Sequence, residues 1–276
     1  MEETKKKRGP SLRRYAQLMA AVLYNCNFKG FRESRIFKGD TKGICVPGLN
    51  CYSCPGAVGA CPLGSLQSGL LSSWTKFPYY VLGTLMLFGI FLGRLVCGFL
   101  CPFGFLQELL YMIPTPKIKK NKVTRVLSKL KYVILVAFVI IIPLVKFAPG
   151  FCKYICPAGT LEAGIPLVLG NEMLREAIGF IFSWKVFVLC ATLLLCIFCF
   201  RGFCRFICPL GAIYSFFNPV AFFGFRVDES KCTHCQACVR ACRMDVKKVG
   251  DTECIQCGEC RKKCPEGAIK FRCGKR

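Results

Sequence analysis

The sequence predicts an α-helical membrane bundle followed by a small α+β domain. The bundle is expected to have about four spans, arranged as two tandem two-span repeats with helix breaks at Cys-Pro-x-Gly motifs. Three observations lead there. The 276 residues are 54% hydrophobic yet carry a formal charge of +24, a pairing that suits a membrane protein with basic ends and loops. Twenty-three cysteines fall mostly in short regular spacings, which read as metal ligation before they read as a disulfide framework. Finally, motifs of the first half of the chain recur in the second.

A basic start, Lys5-Lys6-Lys7-Arg8 then Arg13-Arg14, precedes an apolar run from Tyr15 to Phe28. The run is short, but no small-residue cleavage site follows it, so it is expected to be an uncleaved first span. The second span is expected over Phe77 to about Phe99, the third over Tyr132 to Phe147 and the fourth over Trp184 to about Phe200. The stretch from Lys117 to Lys131 is rich in Lys and Arg with no acidic residue. It is therefore placed on the cytoplasmic side, together with the basic tail that follows the fourth span. The positive charge follows membrane topology rather than a nucleic-acid footprint, so no nucleic-acid partner is expected.

Between the first two spans, Gly43 to Thr75 holds no charged residue and is rich in Gly, Pro and Cys. Irregular backbone of this kind survives at membrane depth only when buried in protein. It reads as a re-entrant or tightly packed outer element; a small disulfide-bonded outer loop is the alternative.

The repeat pairs "GRLVCGFLCPFG" (93–104) with "FRGFCRFICPLG" (200–211), and "CPLGSLQSG" (61–69) with "CPAGTLEAG" (156–164). Two spans per copy keep both copies in one orientation, with a pseudo-twofold axis along the membrane normal. The membrane domain thus covers 1–225, with repeat units at about 12–115 and 131–225. The repeat is expected to gather Cys97, Cys101, Cys204 and Cys208 at the inner face. At the outer face it brings Cys152 and Cys156 to two or more of Cys45, Cys51, Cys54 and Cys61. Glu162, in the place of Gln67, is a weak candidate for proton exchange.

Cys-Pro-x-Gly occurs five times, at Cys61, Cys101, Cys156, Cys208 and Cys264. Proline is favoured at the first position of a helix, where its missing N–H would be unpaired anyway. The cysteine before it then caps the helix, where free N–H groups and the helix dipole favour thiolate. The partner cysteine four residues earlier ends the incoming span. Two such breaks supply four thiolates, which suits a [4Fe–4S] cluster or a tetrahedral metal site. Arg94 and Arg201, three residues before Cys97 and Cys204, either stabilise that charge or snorkel to the interface.

The tail, 226–276, is a separate small domain. Cys232, Cys235, Cys238 and Cys242 form one C-x2-C-x2-C-x3-C run, and Cys254, Cys257, Cys260 and Cys264-Pro265 form another. This is the spacing of a two-cluster bacterial ferredoxin, in which the fourth cysteine of each run serves the other cube. One cluster then takes Cys232, Cys235, Cys238 and Cys264; the other takes Cys254, Cys257, Cys260 and Cys242. The tail departs from the pattern at Arg243, which stands where proline follows Cys264. The one histidine, His234, reads as an exposed neighbour; bis-histidine haem is excluded, as is C-x-x-C-H haem attachment. Cys26, Cys190, Cys196, Cys199 and Cys273 lack a ligand context and read as core or surface residues.

The C-x3-C-P motifs at Cys97/Cys101 and Cys204/Cys208, joined to the double ferredoxin pattern, resemble the NapH-type membrane polyferredoxins. They are similar also to the membrane modules of NosR and of the CcoG/FixG/RdxA proteins. The resemblance runs from about Arg13 to the end. It implies a multi-pass cytoplasmic-membrane protein, with its ferredoxin domain in the cytoplasm, that transfers electrons between a quinone pool or cytoplasmic partner and a partner redox system. The flavin-type domain of NosR and the β-sandwich of CcoG are missing, so those specialised roles do not carry over.

The expected cofactors are two [4Fe–4S] clusters, with one or two more in the membrane domain and no haem. The expected partners are a redox protein, membrane lipid and a candidate quinone; no catalytic side chain is assigned. Two other functional classes fit the same residues: a copper-handling or maturation factor with reductase activity, and a redox-sensing regulatory membrane protein.

Overall fold

A computed structural model describes residues 12–71, 78–118 and 120–274. The basic start at Lys5 to Arg8, the beginning of the second expected span at Phe77, and Lys119 lie outside the described residues. The fold is mostly helical. In chain order its main helices are α1 (Leu12–Tyr24), α2 (Pro62–Leu71), α3 (Tyr79–Leu92), α4 (Leu95–Phe99), α5 (Pro102–Leu110) and α6 (Lys122–Lys146). There follow α7 (Gly150–Tyr154), α8 (157–170), α9 (Phe180–Phe198), α10 (Gly202–Phe206) and α11 (Pro209–Phe217). The tail adds β1 (Phe223–Val227), α12 (Ala237–Ala241) and β2 (Ile269–Cys273).

Among the described residues two helices are long and apolar enough to cross a membrane, α6 with 25 residues and α9 with 19. At a rise of about 1.5 Å per residue they cover a hydrocarbon core of about 30 Å, or nearly so. The other two expected spans are shorter helices: α1 has 13 residues and α3 has 14. The run expected to continue from α3 to Phe99 is broken at Gly93. That residue has φ +51° and its N–H closes the helix onto Phe88 and Gly89.

Two helices widen into π geometry, at Leu135–Ile141 within α6 and at Thr160–Gly164 within α8. Each widening runs up to a proline two residues beyond it, Pro143 and Pro166. A proline inside a helix lacks a donor and crowds the preceding turn, and a π-bulge is one way a helix accommodates such an interruption.

The repeat reads out as a recurrent unit. A five-residue helix (α4, α7 or α10) carries one cysteine, a single non-helical cysteine follows shortly, and a proline starts the next helix. The main core gathers these breaks: Cys97, Cys101, Cys204 and Cys208 pack with Val96, Phe103, Phe203, Leu210 and Tyr214.

In the tail, β1 and β2 pair antiparallel, with Phe223 opposite Cys273 and Val227 opposite Ile269. A second core, Phe200, Met244, Val246 and Ile255, joins the tail to the helical part, with Tyr111, Cys242, Cys254 and Cys257 against it.

Candidate metal centres

The tail separates its eight cysteines into two groups. Cys232, Cys235, Cys238 and Cys264 line one cavity, with Val227, Ala268 and Ile269 as its apolar wall. Cys242 lies instead within electrostatic reach of Cys254 and Cys257, and Cys260 within reach of all three. The fourth cysteine of each run therefore stands with the other run. The backbone explains how. His234 and Gln256 occupy equivalent places with φ +53° and +54°, and Gln236 and Gly258 follow with φ +56° and +74°. Left-handed residues between cysteines turn successive N–H groups inward, a concavity that favours an anion. His234 itself is exposed and 3.9 Å from Glu229.

In the helical part, the three cysteines Cys101, Cys156 and Cys208 each cap their helix. Each Sγ accepts from the N–H three residues on, Gly104, Gly159 and Gly211, at 3.4 Å in every case. Proline stands at the first helical position each time. A glycine there leaves room: a Cβ on Gly159 would be 3.7 Å from the sulfurs of both Cys156 and Cys51.

Cys97, Cys101, Cys204 and Cys208 are all buried, and Cys97 and Cys204 lie within electrostatic reach of each other and of both Cys101 and Cys208. Arg94 and Arg201 are fully buried beside them, so neither snorkels. Arg94 lies against Cys97, and its Nε and Nη2 are buried without a hydrogen-bond partner among the described atoms. Two unpaired buried donors facing a set of thiols fit an anionic, thiolate-held cluster, since leaving them so would otherwise cost about 1–3 kcal/mol each.

The outer group is Cys51, Cys61, Cys152 and Cys156, mutually within electrostatic reach. Cys54 turns its sulfur to Asn25 Oδ1 at 3.6 Å, and Cys45 faces Ser65. The fourth member is Cys51 because the first copy has no cysteine four residues before Cys61; Ala57 is there. Glu162 accepts from the Cys51 N–H at 2.7 Å.

The two groups are neighbours. The N–H of Leu49 faces the Cys101 sulfur, the N–H of Asn50 faces Cys61, and Cys51 belongs to the outer group. Tyr214 is buried within reach of Cys97, Cys101 and Cys61, and its hydroxyl donates to Pro47 O at 2.9 Å.

The tail docks on the inner group. A Cβ on Gly98 would meet Ile255 O. Glu253 joins Arg94 Nη1 at 3.0 Å and Lys131 Nζ at 2.6 Å. Burial pushes its carboxyl up, but Arg94 and Lys131 outweigh that and hold it below the usual carboxylate range. Arg205 pairs with Asp245, which also accepts from Thr124 Oγ1 at 3.2 Å. Asn218 Nδ2 donates to Cys254 O at 2.9 Å. Arg243, in place of the expected proline, lies over the rings of Tyr111 and Phe200; its departure from the pattern is a docking contact.

Spacing alone did not point to Glu253, Lys131, Asn218, Gln107 or Tyr214. The signal available was their position: Gln107 and Tyr214 stand six residues after Cys101 and Cys208, as Gln67 and Glu162 do after Cys61 and Cys156. Among the described residues no three His, Cys, Asp or Glu converge tightly enough to hold a single metal ion. The sets above are looser groupings, as thiolates on different irons of one cube must be.

Comparisons agree with this assignment of chemistry. A 4Fe–4S binding domain profile matches 77–121, 132–167 and 180–226, and a second 4Fe–4S binding domain profile matches 225–248 and 247–270. Two Methanocaldococcus jannaschii proteins are similar. MJ0749 is 31% identical over 65% of this chain and 64% of its own length. MJ0750 is 32% identical over 66% of this chain and 73% of its own. The regulatory protein NosR of Pseudomonas aeruginosa is 27% identical over 60% of this chain, which spans 23% of NosR. YccM of Escherichia coli, named as a candidate electron transport protein, is 26% identical over 73% of this chain and 57% of its own length. No solved structure matches.

Proposed function

Because this chain belongs to a membrane-associated iron–sulfur family whose domains bind 4Fe–4S clusters, we propose that it is a multi-pass membrane electron carrier. In this reading four cysteine sets each hold one [4Fe–4S] cluster. Two are in the tail domain, 226–276: Cys232, Cys235, Cys238 and Cys264, and Cys254, Cys257, Cys260 and Cys242. Two are in the membrane domain, 1–225: Cys97, Cys101, Cys204 and Cys208, and Cys51, Cys61, Cys152 and Cys156. Bound clusters supply one-electron chemistry; the chain supplies the order.

That order is the observation that carries the proposal. The close approach of Gly98 to Ile255 supports setting the second tail set next to the inner set, and the run Leu49 to Cys51 supports the outer set as the next in line. The first tail set, with Cys235 exposed, lies at the other end of the series, where a soluble redox partner has access. YccM supports the electron-transport reading by its name and NosR by its likeness.

Four spans remain the proposed topology. α6 and α9 turn Val133, Val136, Ile140, Phe187 and Leu194 outward, apolar side chains of the kind a lipid-facing helix presents. α1 and α3 would then cross with the help of the packed breaks that follow them. Lys120 donates to Cys242 O at 3.2 Å, which supports a shared side for this basic segment and the tail, the cytoplasmic one by the positive-inside rule. Lipid contacts the outer faces, and a quinone pool is one source or sink at the outer set.

Iron and acid-labile sulfide per chain, after anaerobic purification, test the proposal. About sixteen irons are expected. About eight would confine the chemistry to the tail, and copper in place of iron in the membrane part would favour metal handling.

A further inference from the structure

Gln67 and Gln107 occupy the same place in two copies of the repeat, six residues after Cys61 and Cys101. Both are buried completely or nearly so. Neither touches a cysteine of its own motif; each reaches across to the other half of the chain. Gln107 Nε2 donates to Cys204 Sγ at 3.0 Å, and Gln67 Nε2 donates to Cys152 Sγ at 3.3 Å.

The orientation of each amide is fixed by the groups around it. Gln107 Oε1 accepts from the N–H of Cys204 at 3.3 Å, and Gln67 Oε1 from the N–H of Phe151 at 3.1 Å. Each Nε2 also donates to the carbonyl one turn back, Phe103 or Leu63. A flipped amide would set donor against donor at the first contact and acceptor against acceptor at the second. The N–H therefore points at sulfur.

The other two copies carry different groups. Glu162 accepts from a backbone N–H and Tyr214 donates to a backbone carbonyl; neither donates to sulfur. Each membrane set thus receives one side-chain amide, on the first cysteine of the second half.

We propose that Gln67 and Gln107 are positioning residues that raise the reduction potentials of the outer and inner centres. The inference rests on the ligation proposed above. Hydrogen bonds to ligand sulfur draw electron density from it and favour the state with the extra electron, and they are among the levers that set cluster potentials. In a buried site the donor is not replaced by water when it is removed.

The test is a redox titration of the full-length protein followed by electron paramagnetic resonance, on wild type, Gln107→Met and Gln67→Met. Each substitution keeps the length of the side chain and removes the donor. Gln107→Met is expected to lower the midpoint of one membrane centre by up to a tenfold change in its reduction equilibrium, about 59 mV for one electron. Gln67→Met should lower a different one, with both tail midpoints unmoved and iron per chain unchanged. Full iron with all midpoints unmoved would overturn the proposal. So would loss of about four irons, which would make the amide a structural support. A wild type holding about eight irons would defeat the ligation reading itself, and is distinguished by that count before any variant is compared.

Discussion

A Cβ built on Gly98 would collide with the carbonyl oxygen of Ile255, so the helix that carries Cys97 touches the backbone of the loop that carries Cys254 and Cys257. The contact is backbone to backbone and has no flexible end to yield. Gly98→Ala is expected to push the tail off its seat at a cost of about 1–3 kcal/mol, the usual range for overpacking. Amide hydrogen exchange at 250–258 reads this directly, as a rise of about tenfold or more. Exchange equal to wild type would show that the contact does not hold the tail.

Glu108 ties the first helix to the inner motif, pairing with Arg13 and with Arg201, each at 2.6 Å. Burial pushes its carboxyl up, but Arg201 and Arg13 together hold it below the usual range. A carboxyl depressed in the folded state stabilises the fold fully above its unfolded value of about 4.3. That contribution is lost as pH falls through the folded value. Wild type should therefore lose more thermal stability than Glu108→Gln as pH falls from about 5 to about 3. Parallel losses in the two proteins would remove Glu108 from the account.

Cys51 and Cys54 are separated by two residues but face different surroundings. Cys51→Ser should lower iron by about four per chain, whereas Cys54→Ser should leave iron content at the wild-type value. Equal losses from both variants would contradict the membership proposed for the outer set.

The tail should bind iron when expressed from residue 221, which keeps β1 whole. The cavity of Cys232, Cys235, Cys238 and Cys264 is built within the tail, whereas Phe200 and Tyr111 wall the other set from outside it. A fragment of 221–276 should hold about eight irons when fresh and lose the Cys254 group first on exposure to air. Loss of the Cys232 group first would reverse that ranking.

The tail was the most legible part of the sequence. Its ligand spacing is local and rigid, so the sorting of Cys242 and Cys264 into opposite groups follows from the spacing alone. The helix caps at Cys101, Cys156 and Cys208 were legible for the same reason, because proline and glycine fix the turn within four residues. Span lengths were less so: hydropathy does not register the break at Gly93, which depends on φ +51°.

The choice of Cys51 over Cys54 was not legible. The proposed choice rests on long-range packing of an irregular loop, where no period operates. The carboxylates that seat the tail escaped as well, because Glu253 and Asp245 look like surface charges until their partners, far away in sequence, are placed beside them.

Leu49, Asn50 and Cys51 serve three different thiol sites in succession, two by their N–H groups and one by its own sulfur. Consecutive Cα atoms are about 3.8 Å apart, so the chain acts here as a ruler. A shift of either cysteine group along it would carry the other, so the two are expected to move as one mechanical body. One residue inserted between Leu49 and Cys51 would throw both out of gauge together, a double lesion from a single codon.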